Sequence, residues 1–346
     1  MRVLLTGHEG YIGTVLSPML REAGHEVTGL DAGLFTDCVF TPPPALPALR
    51  RDLRDVRACD LEGFDAVVHL ANLSNDPLGN LAENLTYDVN HVATVRLAAL
   101  AREAGAQRFV FASSCSLYGA AGQDAVDETA PFHPVTAYGR AKVLAEEGLR
   151  ALASDDFSPV YLRNATVYGV SPRLRFDLVV NNLTAWAVAT GAIRMTSDGT
   201  PWRPLVHVED VASAVVAVLA APREAVHDTA LNVGREGENY QVRDVARLVG
   251  EVVPHCAVSF ADGASPDTRS YRVSFARIAE RLPSWQPRWT VRKGIEQLVA
   301  ALAPRALPPE VFEGPRFSRI AHLRTRMAEG SVRPDLRPLA ATPAAP

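Results

Sequence analysis

Lysine is almost missing from this chain. Of its 35 Lys+Arg residues only Lys142 and Lys293 are lysine, and the other 33 are arginine. A lysine that persists in such a composition is a candidate for a role that arginine cannot fill, because a compact ammonium and a planar guanidinium are not interchangeable. Cysteine is scarce as well. Cys38, Cys59, Cys115 and Cys256 are too few for a disulfide framework, and none stand at metal-ligand spacing. Free thiols in a reducing compartment, and no metal, are the expectation. No apolar run is long enough to cross a bilayer; the longest, near Val211–Ala221, falls well short of about 20 residues. The N-terminal MRVLLTG reaches glycine too early for a signal peptide. A cytoplasmic protein without a membrane partner is expected. Basic excess is also absent: a net charge of -4 and a pI near 6.2 disfavour a nucleic-acid partner.

What is present is ample apolar content, 47% of 346 residues, enough for one large domain or two. The first half alternates strands and helices. Val3–Thr6, Glu26–Leu30, Ala66–Leu70, Arg108–Ala112 and Val160–Arg163 read as strands; Tyr11–Ala23, Val89–Ala104 and Ala137–Leu152 read as helices. This alternation predicts an α/β fold built on a Rossmann-type doubly wound parallel sheet. Beyond about residue 170 the pattern loosens. Helices are expected over Phe176–Thr190, Val208–Ala221 and Val291–Ala301, with short strands at Leu231–Val233 and Val258–Phe260. The expected division is a dinucleotide-binding domain over 1–170, a smaller α/β substrate lobe over 171–305 with returns to the first domain, and a C-terminal extension over 306–346. Thr41–Pro47 reads as a loop and Ala340–Pro346 as a disordered tail.

The first strand runs into Gly7-His8-Glu9-Gly10-Tyr11-Ile12-Gly13, and a helix follows. Gly7 permits the tight turn, Gly10 lets backbone approach a diphosphate, and Gly13 lets the helix pack close to the strand. Unpaired N–H groups at the start of the helix, around Tyr11 and Ile12, face the phosphates. Asp31 ends the second strand about twenty residues on, where a carboxylate accepts from both ribose hydroxyls and repels a 2′-phosphate. This favours NAD over NADP. Asp52, followed by Leu53, is either an acceptor for the adenine amino group or a surface aspartate.

Tyr138 and Lys142 stand at i and i+4 of a helix and share a face. An ammonium one turn away favours the phenolate, as a tyrosine that moves protons near neutrality requires. This is where the lysine-poor chain keeps one lysine. Ser113-Ser114-Cys115-Ser116-Leu117-Tyr118 follows a strand, which puts hydroxyls at the ligand-binding edge of the sheet. One of these serines can bond a substrate oxygen. In order, the GxxGxxG turn, the SSxxxYG run, the YxxxK pair and the later RPLVHVEDVA stretch resemble the extended short-chain dehydrogenase/reductase family, in particular its NAD-dependent nucleotide-sugar epimerases and dehydratases. The resemblance covers roughly residues 1–300.

The resemblance implies that Ser114 is the catalytic hydroxyl, Tyr138 the general acid/base and Lys142 its partner. It implies that Leu70, Ala71 and Asn90 serve the cofactor, and that Asn182, Leu183, Arg203 and Arg269 bind the substrate diphosphate. The dehydratase branch carries Asp-Glu after the catalytic hydroxyl; here Cys115-Ser116 stand there, which disfavours that chemistry, and Cys115 reads as a buried packing thiol. The expected function is C4 epimerisation of a nucleotide-diphosphate sugar through a transient 4-keto intermediate. A 4-ketoreductase or dehydrogenase with exchangeable cofactor uses the same residues, and a non-catalytic NAD-binding protein would have had no reason to keep both Tyr138 and Lys142. The family also implies a homodimer formed through the helices Val89–Ala104 and Ala137–Leu152; light scattering of the purified protein is expected to return twice the chain mass, and a monomer mass excludes it.

Overall fold

Val3, Leu4 and Leu5 are fully buried, as are all four residues of Ala66–His69 and all seven of Ser158–Asn164. Strands covered on both faces must lie inside a sheet flanked by helices. The computed structural model describes residues 1–74, 82–120, 124–261 and 269–339; the tail expected at Ala340–Pro346 lies outside them. Its large sheet is made of β1 (Arg2–Thr6), β2 (Glu26–Asp31), β3 (Ala48–Arg50), β4 (Ala66–His69), β5 (Arg108–Ser114), β6 (Ser158–Asn164) and β7 (Thr229–Val233). All pairings are parallel, in the order β7-β6-β5-β4-β1-β2-β3. The doubly wound sheet is therefore as expected. Strand order reverses about β1, so a crevice opens at the carboxyl ends of β1 and β4.

The main helices are α1 (Gly13–Glu22), α2 (Ala93–Glu103), α3 (Ala137–Arg150), α4 (Val179–Thr190), α5 (Val208–Ala220), α6 (Val242–Val252), α7 (Val291–Leu302) and α8 (Arg319–Ala328). On one face of the sheet, α1 and α5 pack together, with Leu16, Leu20, Val211 and Val215 in a single apolar cluster. On the other, Leu97, Ala98 and Ala101 of α2 meet Ala145 and Leu149 of α3. A second layer caps the carboxyl edge. In it Trp202–His207 pairs with Asn239–Gln241 and Thr166–Tyr168, while α4, α6 and α7 share an apolar core with Phe312 and Phe317.

Several expected boundaries move. β6 begins at Ser158 and ends at Asn164, because its polar residues are buried and bonded. β3 follows directly on the proline-rich loop. Phe176–Leu178 is not helical: Leu178 is extended and α4 starts at Val179. A π-helical turn at Asp88–Val92 precedes α2. The C-terminal extension is ordered through Leu339, with α8 and a bridge between Val332 and Pro338. Among the described residues no helix is long and apolar enough to cross a membrane, and no group of three acidic, His or Cys residues is placed to hold a metal.

One charged pair ties α3 to the sheet. Arg163 of β6 donates to both carboxylate oxygens of Glu146, at 2.7 Å and 3.1 Å, with both side chains buried. Ser113 donates to the same carboxylate at 2.5 Å. Arg163 also donates to the Tyr118 hydroxyl and the Glu128 carbonyl, and Tyr118 in turn donates to Asn232. A satisfied buried network of this kind fixes one arrangement of its elements. Glu146→Ala strands the Arg163 charge in the interior, and a loss of about 3–5 kcal/mol of unfolding free energy is expected in a denaturant titration. Replacing both residues with leucine should cost less than the single change.

Candidate active site

The glycine turn is shaped by contact distance. Gly7 has φ +72°, and a Cβ there would lie 2.7 Å from the amide nitrogen of Ala71. The loops after β1 and β4 therefore touch through a residue that only glycine can be. A Cβ on Gly13 would meet the Gly7 carbonyl at 2.4 Å, so α1 starts tight against the turn. Gly10 donates to that carbonyl at 2.9 Å. Beside it opens a cavity of about 560 Å³, walled by Gly7, Gly10, Tyr11, Ile12 and Gly13, then by Asp31, Asp52, Leu53, Leu70 and Ala71, and further along by Ser114, Tyr138, Lys142, Arg203 and Arg269.

At one end Asp31 accepts from the amides of Gly33 at 2.9 Å and Glu9 at 3.2 Å. Burial raises its carboxyl above the ordinary value, against the Gly33 amide and with Glu9 adding to the rise. Asp52 reaches the wall, but Arg54 occupies both its oxygens, at 2.9 Å and 2.8 Å. As an adenine acceptor it would have to share them. The Tyr11 side chain turns away, its hydroxyl donating to the Gly169 carbonyl at 2.7 Å.

At the other end Thr136 caps α3 by accepting from the Gly139 amide, and one turn in come Tyr138 and Lys142. The Lys142 ammonium lies 4.4 Å from the Phe111 ring centre and 5.6 Å from that of Tyr138. It donates to the Ala112 carbonyl at 2.5 Å. Burial lowers it from 10.5 to about 7, with Glu146 opposing. His69 nearby is lowered to about 3, by burial and then by Lys142, so it stays neutral between Thr6 and Thr94. Ser114 lies on the cavity wall, bonded to Ser116 at 3.0 Å, whereas Ser113 points to Glu146. Cys115 is buried, donates to the Arg163 carbonyl and is pushed up by burial, which leaves a packing thiol.

Three expected residues do not line the cavity. The Asn182 amide donates to the Phe176 carbonyl and to Glu313, and Leu183 packs into the apolar core of the second layer. Because α4 begins late, Leu178 and Val179 face the cavity instead. Asn90 is fully buried in the π turn. Its amide accepts from the Leu73 N–H at 2.8 Å and donates to the Leu73 carbonyl at 3.0 Å. It thus positions the wall segment 70–74 rather than touching the cavity. Arg203 does reach the wall, donating to the carbonyls of Trp202 and Arg269.

Sequence reasoning missed Asn72, Arg175, Asp177 and Arg319, all on the wall. Both polar atoms of the Asn72 amide and the Asn164 oxygen are buried without a hydrogen-bond partner among the described residues. Such groups call for a polar ligand. With a glycine cradle, a carboxylate at one end and unmet polar atoms towards the other, the cleft fits a dinucleotide. The buried ammonium has its own consequence. The unfolded chain keeps the Lys142 proton to about 10.5 and the folded chain releases it near 7, so between those values stability rises with pH. Lys142→Met should melt higher than wild type at about pH 6. Thermal melts at higher pH should show that gap narrowing by about 1.4 kcal/mol for each step of one in pH, until it closes towards about pH 10; a gap independent of pH would contradict a buried ammonium.

Comparison with known proteins agrees with this geometry. The model of the NAD dependent epimerase/dehydratase family matches residues 3–234. A UDP-glucose 4-epimerase of Azospirillum brasilense is 30% identical over 324 residues, covering 85% of this chain and 89% of that protein. Among solved structures, MoeE5 in complex with UDP-glucuronic acid and NAD superposes with a TM-score of 0.76 at 27% identity, covering 89% of this chain and 100% of that one. TunA, an NAD dependent NDP-hexosamine 5,6-dehydratase, superposes with a TM-score of 0.78 at 25% identity, covering 88% and 98%. This chain belongs to the NAD dependent epimerase/dehydratase family.

Proposed function

We propose that the protein epimerises a nucleotide-diphosphate sugar at C4 and keeps its NAD bound through the cycle. The carrying observation is that Ser114, Tyr138 and Lys142 all line the one cavity, with the lysine ammonium 5.6 Å from the centre of the tyrosine ring. Bound NAD supplies a reversible hydride acceptor. Asp31 holds its adenosine ribose and the Gly7–Gly13 turn its diphosphate. Tyr138 takes the C4 hydroxyl proton and returns it after the sugar has turned. Lys142 lowers the cost of the phenolate. Ser114 bonds the C4 oxygen and holds it in line. Arg203 and Arg269, at the far end of the cavity, take the sugar nucleotide's diphosphate.

The choice of epimerisation within this family rests on what lies near Tyr138. Cys115 and Ser116 follow Ser114, and Cys115 is shut into the core. Of the carboxylates on the wall, Glu9 and Asp31 lie at the adenosine end and Asp52 is held by Arg54, while Asp177 is paired with Arg175 at 2.6 Å. Among the described residues none is placed as the spare acid and base that elimination at C5 and C6 needs. Exposed Val92 and Leu144, beside and on the helices α2 and α3, suit the homodimer.

Denaturing the purified protein should release near-stoichiometric NAD from both wild type and Tyr138→Phe, and wild type alone should interconvert C4 isomers of a nucleotide sugar in an NMR assay. The variant should lose roughly 10²–10⁴-fold in turnover. An empty protein that consumes added NAD(H) moves the assignment to a net 4-ketoreductase, and a preference for NADP(H) overturns the role given to Asp31.

A further inference from the structure

Three arginines, Arg173, Arg175 and Arg319, are at most 5% exposed where the C-terminal extension meets the second layer. Asp177 neutralises Arg175, in a two-point pair at 2.9 Å and 2.6 Å. Arg173 donates to the carbonyls of Phe35 and Thr36. Arg319 donates through Nη2 to the Arg173 carbonyl at 3.1 Å, and its guanidinium lies 5.1 Å from the Phe35 ring centre. Its Nη1 is buried with no hydrogen-bond partner among the described residues; the Cys38 thiol and, more remotely, the Asp177 carboxylate are its neighbours, and Arg319 is among the residues that line the cavity. Among the described residues neither Arg173 nor Arg319 has an ion-pair partner. A guanidinium does not shed its proton, and an unpaired buried charge is costly. An anion entering the cavity relieves that cost.

Position identifies the anion. The wall next to Arg319 is made of Leu34 and Phe35, just beyond Asp31, and of Leu336 from the same extension. Arg175 and Arg319 thus line the same cleft as the ribose acceptor Asp31 and the tyrosine Tyr138. In a dinucleotide stretched between those points, the middle is the diphosphate. The extension is also fastened to both walls. His322 and Arg326 bond to the Leu34 carbonyl at 3.0 Å. Arg337 pairs with Asp55, and Leu323, Val332 and Leu336 pack on Leu73.

We propose that Arg319, carried in by the C-terminal extension, is a ligand of the cofactor's diphosphate, closing the cleft from the side opposite the glycine turn. This rests on the reading that a dinucleotide occupies the cleft. The consequence is slow cofactor exchange, which suits a reaction that regenerates its NAD.

The test compares full-length wild type, Arg319→Met and Arg319→Lys, using adenosine, ADP-ribose and UDP as probes in calorimetric titrations of protein stripped of dinucleotide, together with NAD loss on dialysis. Arg319→Met should bind ADP-ribose roughly tenfold more weakly and lose NAD correspondingly faster, the loss expected of one charge-assisted hydrogen bond, with adenosine and UDP binding unchanged. Arg319→Lys, which keeps the charge without the fork, should fall between. Unchanged ADP-ribose affinity overturns the proposal, as does a loss confined to UDP, which would assign the arginine to the sugar nucleotide. Equal loss of adenosine and ADP-ribose also overturns it, since that marks a purely structural role. If Arg319→Met has no melting transition, the lysine variant alone decides by the same criteria. Wild type that binds neither adenosine nor ADP-ribose would refute the dinucleotide reading itself, a separate failure.

Discussion

The ion pair between Glu146 and Arg163 governs the site. It joins the middle of α3 to the carboxyl end of β6 with both side chains buried, and it takes in Ser113 at the end of β5. The residues proposed to carry the chemistry are then one step away. Lys142 stands one helical turn before Glu146 and Tyr138 two turns before it, while Ser114 follows Ser113 on the opposite face of the strand. A buried ion pair adds little net stability but tolerates few alternative packings. What it contributes here is the relative placement of a helix and a strand edge, the tolerance to which proton and hydride transfer are most sensitive.

The same pair explains why Lys142 tolerates its surroundings. Its ammonium lies in an apolar niche with a carbonyl, an aromatic face and the charge of Glu146 at a remove. A guanidinium is broader and needs a planar set of acceptors that this niche does not offer. The persistence of lysine at this position in an arginine-rich chain thus has a steric reason as well as a chemical one.

Much of this was legible in the sequence, and the failures have causes. Apolar runs such as Ala66–His69 declare themselves because strands buried on both faces exclude polar residues. β6 was read short because Ser158-Pro159 and Asn164 look like strand ends, whereas all three are buried in the sheet. Ala48–Arg50 is too short to show a period and lies behind prolines. Asn182 and Leu183 were named from the resemblance alone; the structure keeps them off the cavity wall, where Leu178 and Val179 at the start of α4 stand instead. Arg319 was invisible for a different reason. Among 33 arginines one more carries no signal, and its significance depends on a contact with Arg173, which lies 146 positions away.

The π turn at Asp88–Val92 has an evolutionary implication. It holds one residue more than the α-helical path it interrupts and takes it up in one wide turn, so the helices before and after it keep their faces. Thr86 before the turn and Leu97, Ala98 and Ala101 after it are all buried. A single-residue deletion here would restore an unbroken helix with both halves still against the core, at the cost of the bonds Asn90 makes to the Leu73 backbone. A one-residue gap among relatives is therefore expected inside this pentad rather than in the regular helix on either side, where it would rotate everything beyond it by about 100°.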